Sequence, residues 1–287
     1  MNLTRFTSSQ DFSAHAESFL VTHEAQNNLM LGLATSLALN PNLYGSQPYF
    51  AVVDDADAGQ VMAAALMTPP HRVTLSFNAP REALELIARD VHDFRPDTPG
   101  VTGPVPVSLQ FAQIWRDLTG QNFHQRMAER IYRLDSVKPP RDASGRLRRI
   151  NENDRALLLE WVAAFQMEIW NEADPASVER LVNNMLTLPP DYRGTFLWED
   201  PGPVSLTSYG GPTPNSMRIG PVYTPRERRG QGYASACVAA VSQHLLDGGR
   251  KFCTLFTDLG NPTSNKIYMQ IGYEPVCDVD EYKFLPA

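Results

Sequence analysis

Arg228-Arg229-Gly230-Gln231-Gly232-Tyr233-Ala234, the glycine loop, is the stretch that decides the fold, because it joins two elements of different periodicity. Residues 217–223 before it form an apolar strand segment. Residues 233–247 after it carry apolar side chains at the 3.6-residue spacing of a helix, which two glycines then end. A glycine-rich turn that runs into a helix N-terminus presents unpaired backbone N–H groups and the positive end of the helix dipole. The stretch therefore predicts a phosphate-binding loop, to which Arg229 would add a charge-assisted contact.

Several protein families build such a loop. A P-loop requires Gly-Lys followed by Ser or Thr, which this chain lacks. A Rossmann fingerprint would place Ser235 at its third glycine position, and no convincing acidic residue follows at the required distance. Residues 229–234 supply every position of the R-x-x-G-x-G/A pattern, and here the chain resembles the GNAT superfamily of N-acetyltransferases. By itself, the loop is also compatible with an ordinary glycine-rich connection.

A second segment strengthens the resemblance. After a strand predicted at residues 251–258, residues 261–276 resemble the closing motif of GNAT proteins, which combines an asparagine, a tyrosine on a short helix and a Gly-aromatic step. Asn261 can cap this helix and Gly272 can end it, so helix capping is the alternative explanation for Asn261. Capping leaves Asn265 and Tyr268 unexplained. Two motifs in the correct order indicate a GNAT domain more specifically than either motif alone.

Composition limits the function. The chain has 287 residues, 43% of them hydrophobic, and a formal net charge of −7, which argues against a nucleic-acid partner. No apolar run reaches the roughly 20 residues of a membrane span, and residues 1–6 lack the apolar core of a signal peptide, so a cytoplasmic protein without a membrane partner is expected. The three cysteines are expected to be buried thiols, and the spacing of the six histidines predicts no metal site.

The order of predicted elements indicates an internal duplication on either side of a linker at residues 136–145, which is rich in proline, charge and small residues. In each half, three strands are followed by a helix, a second helix and a final strand. The predicted elements of the first half are strands 49–53, 61–67 and 73–77, helices 81–94 and 108–118, and strand 126–134. Their counterparts are strands 195–198, 204–209 and 217–223, helix 233–247, the helix ending at Gly272, and strand 273–284.

We therefore expect an α/β (α+β) chain of two tandem GNAT-like folds, each a mixed, mostly antiparallel central sheet flanked by helices. Residues 1–135 would form a degenerate domain, and residues 146–287 the acetyltransferase domain. Residues 78–82 of the first half contain no glycine, so a second cofactor loop is not expected there, and Ile114 or Trp115 takes the position of Tyr268. A loose alignment of two unrelated α/β domains is the alternative.

The resemblance implies that acetyl-CoA binds where the fourth and fifth strands of the GNAT fold separate. Its pantetheine would lie along the backbone of the fourth strand, which is residues 217–223 in this chain. The tetrahedral oxyanion formed by direct attack of a neutral amine would accept a hydrogen bond from the N–H of Val222 or Tyr223. Tyr268 is the expected general acid, because a phenol stays protonated at pH 7, and a packed helix aromatic is the alternative. The expected cofactor-binding residues are Val222, Tyr223, Thr224, Arg229, Gly230, Gln231, Gly232, Tyr233, Ala234, Asn261, Asn265 and Tyr268.

The general base is open between Glu168, Glu172 and Asp258. Glu168 is chosen because it lies at the end of the first helix of this half, where GNAT proteins often line the acceptor site, although solvated helix carboxylates are common. A carboxylate beside Trp170 could bind a cationic amine through charge and ring face. Together with the acidic composition, this favours a small cationic amine as acceptor. A non-catalytic acyl-CoA binder or interaction protein on a GNAT fold is the main alternative function, and nucleotide binding the third.

Overall fold

The structure is a computed structural model that describes residues 1–140 and 143–286. The elements of its first half are β1 (Asn2–Phe6), α1 (Ser9–Val21), α2 (Asn28–Leu39), β2 (Tyr49–Asp54), β3 (Val61–Met67), β4 (Val73–Leu75), α3 (Arg81–Phe94), β5 (Gly100–Pro104), α4 (Val107–Thr119) and β6 (Phe123–Leu134). Those of its second half are β7 (Arg146–Arg149), α5 (Arg155–Trp170), α6 (Pro175–Thr187), β8 (Arg193–Glu199), β9 (Pro203–Gly210), β10 (Ser216–Tyr223), α7 (Tyr233–Asp247), β11 (Phe252–Asp258), α8 (Pro262–Ile271) and β12 (Glu274–Phe284). The two halves have the same order of elements, so the expected duplication and fold class are confirmed.

The sequence patterns located the second part of each half more completely than the first. Helices α3 and α7 begin and end where their apolar spacing predicts. The patterns did not delimit β1, α1, α2 or β5, which complete the repeat. Within the expected linker, Arg141 and Asp142 lie outside the described residues.

The chain divides into two compact units, and the first comprises residues 1–132, 257–262 and 275–287. Its strands pair in the order β1-β2-β3-β4-β5-β12-β6, and from β1 to β12 the pairs are antiparallel except for β4 and β5. Both faces of this sheet are covered, because alternate residues of β2 enter different clusters. Tyr49, Ala51 and Val53 pack with α3 and α4, whereas Phe50 and Val52 pack with α1 and α2.

The last strand of the chain belongs to the first unit, whereas the expected division assigned all of residues 146–287 to the second domain. β12 pairs with β5 from Val279↔Pro104 to Lys283↔Gly100, which gives its backbone groups the partners that an extended segment requires. Gly100 is necessary for this approach, since a Cβ at that position would collide with the carbonyl oxygen of Tyr282. The division therefore depends on strand pairing and does not follow the order of the chain.

The second unit comprises residues 133–256 and 263–274, with strand order β7-β8-β9-β10-β11. The strands are antiparallel except for the parallel pair β10 and β11. Consecutive residues of β8 contact helices on opposite faces. Leu197 packs in a cluster with α5 and α6, whereas the ring of Phe196 contacts that of His244 of α7, with centroids 5.2 Å apart. Helices therefore cover both faces of this sheet as well.

All three cysteines are free thiols, and Cys237 and Cys253 are buried as expected, whereas Cys277 is only partly buried. Within the described part of the chain, no helix combines the length and the hydropathy needed to cross a membrane.

Candidate functional site

The parallel pair β10 and β11 separates along its length. Its pairing runs from Ser216↔Phe252 to Ile219↔Leu255 and stops there, although β10 continues to Tyr223. At the same point the register of β10 against β9 shifts between Ile219 and Val222, where Gly220 has a φ of 140°. Residues 220–222 are partly exposed, in contrast to the buried Ile219. The edge of β10 beyond Ile219 can therefore pair with an extended ligand in the manner of an added strand.

The glycine loop follows β10 and ends at the N-terminus of α7. Gly230 and Gly232 adopt left-handed conformations, with φ of 78° and 85°. The first hydrogen bond of the helix runs from the N–H of Ala236 to the carbonyl of Gly232, at 3.0 Å. Among the described residues, the backbone N–H groups of residues 230–235 donate no hydrogen bond, and no side chain caps the helix. These donors and the helix dipole together form an anion-binding cradle.

The two glycines are required by backbone conformation and not by crowding. A Cβ at Gly230 would meet no heavy atom within 4 Å, and at Gly232 only the Cβ of Ala143, at 3.7 Å. Since an L-residue in the left-handed region costs about 1–2 kcal/mol, glycine is the residue that holds this loop without strain.

Arg229 and Glu168 are bound to each other. One terminal nitrogen of the Arg229 guanidinium donates to both carboxylate oxygens of Glu168, at 2.9 and 2.7 Å, and its Nε donates to the carbonyl of Thr224 at 2.9 Å. Arg226 donates to the same carboxylate at 3.2 Å. Partial burial disfavours the ionised carboxylate, but the hydrogen bonds from Arg229 and Arg226 outweigh this effect and lower the pKa of Glu168. A carboxylate with a lowered pKa is a weaker proton acceptor, which differs from the expected role of Glu168 as the base.

The other two candidates for the base lie at exposed positions. Glu172 follows the end of α5, and Asp258 ends β11, where its carboxylate accepts a hydrogen bond from the N–H of Gly260 at 2.7 Å. Trp170, the last residue of α5, is 45% exposed and contacts Phe165 edge-on. The Trp170 side chain is thus partly open to solvent, as the expected contact with a cationic amine requires.

Three of the residues expected to bind the cofactor, Tyr223, Thr224 and Tyr233, are held in place by their neighbours. Tyr223 is buried against Trp161, with ring centroids 5.8 Å apart, and the Thr224 hydroxyl lies 2.8 Å from the hydroxyl of Ser205. Tyr233 donates from its hydroxyl to Asp200 at 2.7 Å, and Ser144 donates to the same carboxylate. The side chains of Tyr223 and Tyr233 are therefore structural, and what these positions can offer a ligand is their backbone.

Helix α8 carries the expected acid. Tyr268 is half-buried, its ring meets that of Tyr273 edge-on at 5.9 Å, and burial raises its pKa to about 12. No hydrogen bond to its hydroxyl is found among residues 1–140 and 143–286. A phenol in this state is a proton donor at neutral pH. Asn261 directly precedes α8, and its N–H donates to the carbonyl of Asp258 at 3.0 Å, whereas Asn265 is half-buried within the helix.

The corresponding region of the first unit is closed. β4 and β5 pair at Val73↔Val101 and Thr74↔Thr102, and Leu75, the last residue of β4, still lies close to β5, since a Cβ at Gly103 would be 3.2 Å from the Cβ of Leu75. The N–H of Phe77, in the following loop, donates to the side chain of Asn27 at 2.8 Å. Trp115 is fully buried and stacks on Phe284, with centroids 4.9 Å apart. Among the described residues, the free edge of a strand followed by a glycine loop is therefore found in the second unit alone.

Sequence reasoning missed three residues of this site. Arg226 lies in the basic segment 226–229, which could have suggested a second positively charged side chain at this site besides Arg229. Asp200 and Ser144 lie far from Tyr233 in the chain, and no motif connects them. No group of three or more His, Cys, Asp or Glu side chains able to hold a metal occurs in the part of the chain that the structure describes.

Comparison with known proteins places this geometry in context. Residues 213–283 match the model of the family described as FR47-like protein. A Drosophila protein from structural genomics is similar over 99% of this chain and 98% of its own, at 12% identity and a TM-score of 0.70. A GCN5-related N-acetyltransferase from Sphaerobacter thermophilus is similar over 98% of this chain and 95% of its own, at 16% identity and a TM-score of 0.61.

A tandem GNAT protein from the clavulanic acid biosynthesis pathway is similar over the full length of both chains, at 12% identity and a TM-score of 0.55. A search of curated protein sequences finds no match. These similarities confirm the GNAT resemblance, and the chain has the tandem GNAT fold.

Proposed function

We propose that this tandem GNAT protein is an N-acyltransferase that transfers the acetyl group of acetyl-CoA to a primary amine, with one active site in its second unit. The observation that carries the proposal is the separation of β10 from β11, followed directly by the glycine loop with its free N–H groups. An extended pantetheine chain requires the free strand edge, and a diphosphate requires the cradle at the start of α7.

Within this site, the backbone of Val222, Tyr223 and Thr224 would bind the pantetheine, and that of residues 230–234 the diphosphate. Asn265, in the same unit, stays a predicted cofactor contact, as does Asn261 in the segment between β11 and α8. The amine nitrogen attacks the thioester carbonyl carbon, the C–S bond breaks, and the N–H of Val222 or Tyr223 stabilises the intermediate oxyanion. Tyr268, which stays protonated at neutral pH, then gives its proton to the leaving thiolate.

The proton lost by the amine goes to water in this proposal. The contacts of Glu168 favour a positioning role over that of a base, because two guanidinium groups stabilise its ionised form. The acceptor that we propose is a small cationic amine. The net charge of −7, the exposed Trp170 and the exposed Glu172 two positions later in the sequence support it.

The test is release of CoA thiol from acetyl-CoA in the presence of polyamines, aminoglycosides, amino acids with free α-amino groups, and neutral or acidic amines. Activity that favours the small cationic members supports the proposal, and activity confined to neutral or acidic acceptors contradicts the proposed acceptor class. Tight binding of acetyl-CoA without acetylation of any amine would instead favour a non-catalytic acyl-CoA binder.

A further inference from the structure

Two guanidinium groups beside the glycine loop hold a carboxylate that comes from another element. Arg226 precedes the glycine loop and Arg229 lies within it, three residues apart at a short turn, and Glu168 lies on α5. The same oxygen of Glu168, Oε1, accepts from Arg226 at 3.2 Å and from Arg229 at 2.9 Å. The two arginines therefore converge on a single oxyanion group.

This arrangement is chemically that of an oxyanion site whose occupant is part of the protein. A carboxylate and a phosphate present the same kind of acceptor to a guanidinium, with planar N–H groups directed at two oxygens. Arg229 is adjacent to Gly230, where the unpaired N–H groups of the cradle begin. A diphosphate in the cradle would thus meet the two arginines with Glu168 already bound between them.

A phosphate group can replace the Glu168 carboxylate in its ion pairs with Arg226 and Arg229. The side chains of Arg226 and Arg229 are 80% and 45% exposed, and pairs between exposed groups contribute little stability. Each phosphate of the CoA diphosphate carries one negative charge, as a carboxylate does, but the two phosphates together carry twice that charge and offer more acceptor oxygens, so the diphosphate competes well for both guanidinium groups.

We propose that Arg226 and Arg229 form a phosphate clamp and that Glu168 is a positioning residue that occupies the clamp until the cofactor displaces it. This inference rests on the proposed function, since it assigns the clamp to the diphosphate of CoA. It adds Arg226 to the cofactor-binding residues. It also gives Glu168 a role that opposes cofactor binding, which neither a base nor a simple structural residue would have.

The test measures the Kd of CoA and, separately, of inorganic pyrophosphate by calorimetry for the full chain and for Glu168→Gln. Glutamine keeps the shape of the side chain and removes its charge, so we expect both ligands to bind about three- to tenfold more tightly. Glu160→Gln is the matched control, because Glu160 is an exposed glutamate on the same helix, and its Kd values should equal those of the unchanged protein. Glu168→Asp should lie closer to the unchanged protein than Glu168→Gln, since it restores the charge.

Arg226→Gln completes the design, with both Kd values expected to rise about three- to tenfold. Unchanged or weaker pyrophosphate binding by Glu168→Gln, with the melting temperature preserved, would overturn the proposal, and so would the absence of pyrophosphate binding by both proteins. Tighter pyrophosphate binding by a protein that acetylates no amine would support the clamp while the proposed function fails. Amine acetylation with Kd values insensitive to Glu168 would leave the function standing and refute the clamp.

Discussion

Gly230→Ala should weaken CoA binding more than it lowers stability. Gly230 has a φ of 78°, a conformation that costs an L-residue about 1–2 kcal/mol. A Cβ there would contact no heavy atom of the described chain within 4 Å, so backbone strain is the whole of the expected stability loss. For a unit of this size, that strain corresponds to a melting temperature lower by about 2–8 °C.

The effect on binding is larger because a relaxed backbone turns the cradle N–H groups away from their common target. Each hydrogen bond to a charged group contributes about 1.5–3 kcal/mol, so loss of one raises the Kd of CoA by about 10- to 150-fold. Calorimetric titration with CoA and a thermal melt of the same protein preparation measure the two quantities separately.

Gly249→Ala is the matched control. Gly249 also has a left-handed φ, 95°, and a Cβ there would meet nothing within 4 Å, but it follows the opposite end of α7. It should lose similar stability and bind CoA with an unchanged Kd. If both variants lose the same stability and both keep the Kd of the unchanged protein, the glycine loop is not the cradle and the argument from its N–H groups is refuted.

Three further outcomes are expected. Tyr268→Phe should lower kcat about 100-fold and leave the Kd of CoA unchanged. Because burial raises the pKa of Tyr268 to about 12, the loss of activity should persist from pH 6 to 10. An unaltered kcat would refute the role of Tyr268 as the acid. Trp115→Ala should lower the free energy of unfolding, measured by denaturant titration, by about 3–5 kcal/mol, since the side chain is fully buried and stacked on Phe284. A loss below about 1 kcal/mol would contradict this packing. Cys237 and Cys253, whose pKa values burial raises to about 12, should not react with a thiol reagent at pH 7.5 until the protein is unfolded, and rapid reaction in the native protein would contradict their burial.

Elements with a strong local pattern were predictable from the sequence. α7 and α3 have apolar side chains at helical spacing and clear ends, and both begin and end at the predicted residues. α2 is apolar around most of its surface and has no capping side chain, so its sequence lacked the contrast that marks a helix boundary. β5, Gly-Val-Thr-Gly-Pro, contains two glycines and a proline, which disfavour a strand unless its neighbours supply the pairing.

The amino-acid sequence by itself determined the tandem fold and the place of the glycine loop, because short-range periodicity and glycine conformation depend on neighbouring residues. Only the tertiary structure decided that β12 joins the first unit, that β10 leaves β11 after Ile219, and that Glu168 binds Arg226 and Arg229. The contact between Glu168 and Arg229 joins residues 61 positions apart, one in a helix and one in a loop, whose local sequence patterns are independent of each other. The packing of the whole unit determines which groups contact a charged side chain or a strand edge, and a local sequence pattern does not predict that packing.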